Sequence, residues 1–289
     1  MVKLNSNQIE GSETGLSGAY PLEPYLLPEN VTGHTKKVCL LRSALSALRL
    51  KRGRGLRILD VGCGNGYAVT RFLAHPADKV LAIDMHEPSI LYAQQNFERP
   101  GLEFQVQRVE KLSNQGKQFD AVIFADILEH VEQPGELLQS ALQLLEPGGR
   151  VLVTIPNGYG PFEIESAISR QWIGKALLRV VDLAIAFINK FILRGFWSKV
   201  VTQTDVPYNL ESGHIQFFTQ NAFLTIAQNA GLTLVSNRNL SWFSGPFTNY
   251  LFAPFESFCH WNTNIADKLP CTWVSAWFLE FAANVENQQ

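Results

Sequence analysis

Beyond Gly55 the chain alternates between short apolar runs and stretches whose apolar residues recur every three or four positions. The runs are Arg57–Val61, Lys79–Asp84, Leu102–Arg108, Phe119–Ala125 and Arg150–Ile155, with helical stretches such as Ser89–Glu98 and Gly135–Leu145 between them. A strand solvated on one face would alternate apolar and polar residues. Near-continuous Val/Ile/Leu/Phe runs separated by helices instead predict a parallel sheet covered on both faces. Ahead of the sheet, Val38, Leu41, Leu45 and Leu48 mark a helix over His34–Leu50. Lys36, Lys37, Arg42 and Arg49 on the same segment read as its solvated basic face. Residues 1–33, punctuated by Gly, Ser, Pro and Asn, read as an arm.

The alternation breaks at Pro156. Residues 161–213 contain no clear strand, and the pattern resumes with His214–Phe218 and a helix from a Thr219 N-cap to Gly231. Gly231–Asn237 is a further strand, 241–271 is irregular and aromatic-rich, and Trp273–Phe281 closes the sheet. The division that follows is an arm and cap helix (1–54), a core (55–160), an insertion (161–213), a return to the core (214–240) and an aromatic appendage with the closing strand (241–289).

Composition narrows the class. Only 17% of the 289 residues are charged, against roughly 25% in an ordinary soluble domain, and 46% are hydrophobic. A net charge of −2 argues against a nucleic-acid partner, and no long apolar run free of charges predicts a spanning helix. Met1–Gly18 lacks the apolar stretch of a secretory signal, so a cytoplasmic chain with Cys39, Cys63, Cys259 and Cys271 as reduced thiols is expected.

The sharpest local signal is Asp60-Val61-Gly62-Cys63-Gly64-Asn65-Gly66, which follows a strand and opens a helix. Glycines there permit a tight turn and close backbone approach to a ligand. Tyr67 stands where a dinucleotide fingerprint needs its third glycine, which disfavours a nicotinamide-dependent oxidoreductase. Cys63 reads as a small residue in the loop, and Asp60 sets a carboxylate where it could meet an ammonium group.

This segment resembles motif I of the class I S-adenosylmethionine (SAM) methyltransferases. The likeness continues in family order through Asp84, Phe119–Val122, Asp126–Val131, Leu145–Arg150, Ile155–Asn157 and His214–Thr219, spanning about Gly55–Asn237. The later segments resemble the small-molecule branch that includes ubiquinone-pathway O-methyltransferases. The resemblance implies a Rossmann-like α/β fold with a seven-stranded sheet, six strands parallel and the last antiparallel. It also implies SAM as cofactor and methyl transfer, in this branch to oxygen.

The site residues follow from that likeness. Gly62, Cys63, Gly64 and Gly66 would shape the methionyl site with Asp60, Asp84 would hold the ribose, and Met85 follows it. The family usually has an acid near the end of the third strand that reads the adenine amino group. Arg108 stands there instead, leaving Glu110 or the Val109 backbone for that contact. Ala125 and Asp126 would lie beside the sulfonium, whose positive charge suits a wall without Lys or Arg between Phe119 and Glu146. A hydroxyl acceptor needs a base, for which His130 and His214 are candidates, with Glu129 and Asp126 behind them. Adjacent Glu129 and His130 cannot share a helix face, so no metal centre is expected.

Both insertions leave strand ends on the cofactor edge and should form the acceptor pocket or its lid. Residues 166–200 combine six Lys/Arg and the single acid Asp182 with an apolar stripe that includes Trp172, Ile185 and Ile188. Mutual packing of the insertions is one reading; peripheral membrane contact through 166–200 and a dimer interface are others. The pocket should therefore take an apolar acceptor: a small molecule, a quinone or a lipid-linked group. A non-catalytic SAM-fold scaffold at a membrane surface is the rival in function. The oligomeric state stays open.

Overall fold

Seven strands form one sheet in the order β3-β2-β1-β4-β5-β7-β6. The strands are β1 (Arg57–Val61), β2 (Lys79–Asp84), β3 (Leu102–Val106), β4 (Phe119–Ala125), β5 (Leu145–Pro156), β6 (Leu232–Asn239) and β7 (Ala276–Ala283). The first five are parallel, while β7 runs antiparallel to both β5 and β6, so β6 points with the first five. This is the Rossmann-like arrangement that the sequence predicts. The computed structural model describes residues 31–113, 116–172, 176, 179–180, 183, 214–252 and 255–284.

Alternation within β1 shows how the two faces are filled. Leu59 and Val61 join one apolar cluster, where Leu112 of α3 (Val109–Ser113), Leu138 of α4 (Pro134–Gln143) and Phe223 of α6 (Gln220–Asn229) pack. Ile58 points to the other cluster, against Leu41 and Leu45 of α1 (Val31–Arg52) and Ile90 of α2 (Glu87–Phe97). Asp60 shares the side of Ile58, in register with Ala82 of β2 and Ile123 of β4. A carboxylate is thus embedded in an apolar face, one residue before the strand ends.

Several elements differ from the sequence reading. The strand expected at Arg150 begins at Leu145, because the Glu146–Gly149 turn is a bulge within the ladder: Phe119 pairs with Leu145, and Ala121 already with Arg150. Residues 214–219 form no strand. They run as an extended segment held by Gly158 N–H donating to Phe218 O (2.9 Å) and by Ile215 and Gln216 N–H donating to Glu129 O (both 3.0 Å). Thr219 is the expected N-cap, its hydroxyl accepting from Ala222 N–H.

The 241–271 stretch is helical rather than irregular, with α7 (Pro246–Phe252) and α8 (Glu256–Ala266). The inward stripe of α8 is Cys259, Asn262, Thr263 and Ala266, a helical spacing hidden by its polar members. Of the basic residues expected to form a solvated face on α1, Arg42 is exposed, but the others are drawn into pairs. Lys36 is buried, donating to Thr263 O (2.8 Å) and pairing with Asp267 (2.8 Å), so it ties α1 to α8. Arg49 pairs with Asp78, and Arg52 and Arg54 with Asp120.

The first insertion leaves β5 through α5 (Pro161–Arg170), and the second leaves β6 toward α7. They meet where the Glu165 carboxylate accepts from Thr248 N–H (2.9 Å) and Thr248 Oγ1 (2.5 Å). The amphipathic stretch expected over 166–200 lies largely outside the described residues. Among the described residues, no helix is long and apolar enough to cross a membrane.

A Cβ added at Gly158 would sit 2.6 Å from the backbone of Phe217 and Phe218, which cannot yield as a side-chain tip could. Gly158→Ala is therefore expected to push the 214–218 segment off β5 and lower unfolding free energy by about 1–3 kcal/mol, as overpacking does. Urea denaturation measures this, and an unchanged midpoint contradicts it.

Candidate active site

The glycine loop is shaped by backbone conformation. Gly62, Gly64 and Gly66 all lie at positive φ (73°, 55° and 69°), a region L side chains rarely adopt. A Cβ at Gly62 would also strike the Ile127 side chain at 2.5 Å, whereas one at Gly64 would meet nothing within 4 Å. The Gly64 backbone is thus open to an approaching ligand. Gly62 and Cys63 N–H donate to Ile83 O at the end of β2. Asp84 completes the tie, its carboxylate accepting from Gly64 N–H and His86 N–H (both 2.8 Å).

Behind the loop a cavity of about 250 Å³ opens between β1, β4 and the two insertions. Asp60 lines it. One of its oxygens accepts from Thr70 Oγ1 (2.7 Å), while Oδ1 is buried without a hydrogen-bond partner. Burial raises the Asp60 pKa to about 7, against the opposing bond from Thr70. Burial likewise pushes the Cys63 thiol up, as expected of an inert small residue.

Opposite the loop, Asp126 has φ 54°, the only described residue other than glycine at positive φ. It is held there by Thr154, whose hydroxyl donates to Oδ1 (2.8 Å), and by Lys37 of α1, which forms a short ion pair with Oδ2. Burial alone would raise the Asp126 carboxyl. Lys37 outweighs it and holds the group below the ordinary carboxylate range. The segment without Lys or Arg therefore does face a cation, supplied from a distant helix. His34, one turn before Lys37, is buried with Nε2 2.6 Å from Ala68 O, and burial lowers its pKa to about 3.

Two histidines and two glutamates form the third wall. His130 ends a short 3-10 turn, Leu128–His130, and its ring meets that of His214 edge-on, centroids 4.9 Å apart. His214 Nδ1 lies 2.6 Å from Glu163 Oε1 on α5, and His214 Nε2 lies 4.0 Å from Glu129 Oε1. Glu129 is fully buried with Oε2 unpartnered, and burial, then Asp126, drive its carboxyl well above the usual range. Glu129, His130 and His214 each bring one ligand-type atom within 4.8 Å of the others. The helix-face argument missed this grouping because its third member returns from beyond the insertion. Among the described side chains of this wall, only His214 and Glu163 are at hydrogen-bond distance; Glu129 Oε1 stands 3.9 Å from His130 Nε2 and 4.0 Å from His214 Nε2.

Of the residues picked from sequence, Asp60, Gly62, Cys63, Gly64, Ala125, Asp126, His130 and His214 line one cavity. Gly66 sits behind the loop against Phe104. Asp84, Met85, Val109 and Glu110 are not among the lining residues: Met85 is 62% exposed, Val109 packs in the core, and Glu110 lies exposed on α3. Sequence reasoning missed Lys37, His34, Thr70 and Glu163. The first carried no sign beyond a Lys-Lys pair on a helix that has several other basic residues.

Lys37→Met would leave the Asp126 carboxylate without its cation. A loss of about 3 kcal/mol near neutral pH is expected from breaking a largely buried pair. The Asp126 pKa is depressed, so this contribution is complete above about pH 4 and fades as pH falls through its folded value. Stability of both proteins against pH measures it; a difference that persists in acid contradicts it.

Comparison with known proteins agrees with this geometry. A family model described as a methyltransferase domain matches residues 34–237. The ubiquinone biosynthesis O-methyltransferase of Roseobacter denitrificans is 39% identical over 128 residues, 42% of this chain and 51% of that protein. Its namesake from Pseudomonas entomophila is 30% identical over 149 residues, 50% and 63% of the two chains. The chain thus spans about half to two-thirds of the length of these curated relatives. Among solved structures, the plantazolicin methyltransferase BamL, in complex with a triazolic desmethylPZN analog and SAH, superposes with a TM-score of 0.51 at 13% identity. The alignment covers 88% of this chain and 86% of that one. PKMT2 from Rickettsia typhi gives 0.50 at 16% identity, covering 91% and 55%. These likenesses carry the fold alone, but the family model covers most of the described core and leaves no support for the oxidoreductase reading. The chain belongs to the methyltransferase-domain family.

Proposed function

We propose that this protein transfers a methyl group from SAM to a hydroxyl oxygen of a small apolar acceptor. The observation that carries the reading is Asp60: a buried carboxylate oxygen with no partner, opening on the cavity beside a glycine loop. An ammonium group would satisfy it, and the methionyl end of SAM has one. The residues present therefore fit the cofactor. Asp60 would hold the amino group, the open Gly64 backbone would admit close approach, and Asp84 keeps lone pairs for the ribose hydroxyls. Met85 and the Val109–Glu110 start of α3 would flank the adenine. When bound, SAM supplies an electrophilic methyl group on a cationic sulfur. The chain's own work is alignment, exclusion of water and acceptance of the acceptor's proton.

The acceptor class rests on likeness and surroundings. Curated relatives are named for ubiquinone biosynthesis, and Phe162, Pro156 and Leu240 add apolar walls beside His130 and His214. A phenolic or quinone-type acceptor fits both. One further observation favours a lipid-linked acceptor met at a membrane. Ile164 and Ile168 on α5, and Trp172, Val180 and Leu183 beyond its end, are 45–79% exposed, with Arg170 and Arg179 among them. Flotation with anionic liposomes tests it: co-flotation is expected, and equal recovery with and without liposomes rejects membrane contact.

Titration calorimetry tests the main reading. SAM should bind saturably, and Asp84→Ala should weaken it at least tenfold, about 1.4 kcal/mol. Because the Asp60 pKa is raised to about 7, this group makes the ligand-free fold less stable as pH rises from about 4 toward 7. A bound ammonium favours the ionised form, so affinity should increase over the same interval in the wild type and not in Asp60→Asn. No SAM binding to the folded chain would sink the proposal. Binding without turnover on any phenolic acceptor would favour the scaffold.

A further inference from the structure

We infer that Glu163 is a positioning residue that fixes His214 as the general base for the acceptor hydroxyl. The inference rests on the methyltransferase reading above and adds to it the group that takes the proton.

The geometry separates the two histidines. Glu163 Oε1 lies 2.6 Å from His214 Nδ1. A carboxylate can only accept, so Nδ1 carries the hydrogen and Nε2 presents its lone pair. The imidazole side chain lines the cavity, 22% exposed, while Glu163 is 12% exposed. Among the described residues, the charged and titratable groups facing His214 are Glu163 from α5 and Glu129 and His130 from the turn after β4. Phe162 and Phe217 flank the ring at centroid distances of 5.9 and 6.5 Å. Glu129 Oε1 lies 4.0 Å from Nε2, beyond hydrogen-bond reach, so it leaves the lone pair open. His130 stacks edge-on, and its Nε2 lies 3.9 Å from the same Glu129 oxygen.

The backbone holds the pair in place. Ile215 and Gln216 N–H both donate to Glu129 O, which sets His214 against the turn. Glu163 sits in the first turn of α5, after Pro161. The two partners lie 51 positions apart, one at each end of the first insertion.

The step balances simply. The acceptor O–H bond breaks and its proton goes to His214 Nε2. The freed oxygen pair bonds the methyl carbon as the carbon–sulfur bond breaks, its electrons passing to sulfur and neutralising it. The imidazolium is stabilised through Nδ1–H by Glu163 and returns its proton to solvent. A plain phenol loses its proton unaided only near pH 10, so the base matters at neutral pH.

Two measurements on the full chain test the inference. Nitrogen-15 NMR of histidine-labelled protein should show His214 as the Nδ1–H tautomer with a strongly deshielded proton, and Glu163→Gln should abolish that signal. An Nε2–H tautomer in the wild type, or no change in Glu163→Gln, overturns it. For catalysis, catechol should be methylated about tenfold to a hundredfold more slowly by Glu163→Gln, with SAM affinity unchanged. With 4-nitrocatechol, whose hydroxyl is ionised near neutrality, the loss should be under about threefold. Equal losses on both acceptors, or activity abolished by EDTA and restored by magnesium in the wild type, overturn the base. If the wild type binds SAM but methylates neither, the hydroxyl base is rejected while cofactor binding stands. Absent SAM binding marks failure of the broader reading instead.

Discussion

A parallel sheet buried on both faces leaves only its strand ends for polar chemistry, and the rest of this structure is organised by that constraint. Ile58, Leu59 and Val61 are committed to the two cores, and Asp60 lies one residue before β1 ends and the glycine loop begins. Its neighbours across the sheet, Ala82 and Ile123, offer nothing polar. The carboxylate must find its partners at the edge, and Thr70 supplies one of two. An unfilled hydrogen-bonding position in such a place is costly to keep unless something binds there. The loop glycines, the tie from Asp84 and the cavity all lie around that one oxygen.

Three carboxyls around the cavity show how environment assigns different states to one chemical group. Asp60 has no cation and is raised by burial; Asp126 meets Lys37 and is lowered; Glu129 is raised by burial and then by Asp126. Lys37 matters beyond its own pair, because its charge favours ionisation of both Asp126 and Glu129. An ionised Asp126 in turn discourages Glu129 from ionising. The cation from α1 therefore places one negative charge in the site at Asp126. The positive φ of Asp126 fits this view: a strained backbone persists where ties from both Thr154 and Lys37 over-determine it.

The sheet and most of the glycine loop were legible because both are local. Periodicity marks buried strands residue by residue, and a loop of closely spaced glycines announces left-handed backbone. What stayed hidden is what depends on distant residues meeting. Lys36 and Lys37 look like any solvated pair until Asp267 and Asp126 arrive from distant parts of the chain. The stripe of α8 is half polar, and Asn262 earns burial through bonds to Phe243 N–H and O. Glu163 carries no motif at all, and its meaning appears only once His214 lies 2.6 Å away. Adjacent Glu129 and His130 were judged as helix neighbours, but a 3-10 turn and a returning segment give them a third companion.

This distribution has a mechanistic consequence. On the proposed reading, the cofactor side of the cavity is built from consecutive residues of β1 and its loop, with one cation added from α1. The acceptor side would then be the turn after β4 and the two ends of the first insertion, α5 and the 214–218 segment. Gly158 N–H, Glu129 O and the Glu165–Thr248 bonds hold those ends to the sheet and to the second insertion. A change within the insertion can therefore alter which acceptor is admitted without disturbing the loop that receives the cofactor. It can also undo the Glu163–His214 pair merely by shifting one end relative to the other. On the proposed reading, acceptor choice and proton acceptance both depend on this segment, whereas the loop beside Asp60 is set by the parallel sheet.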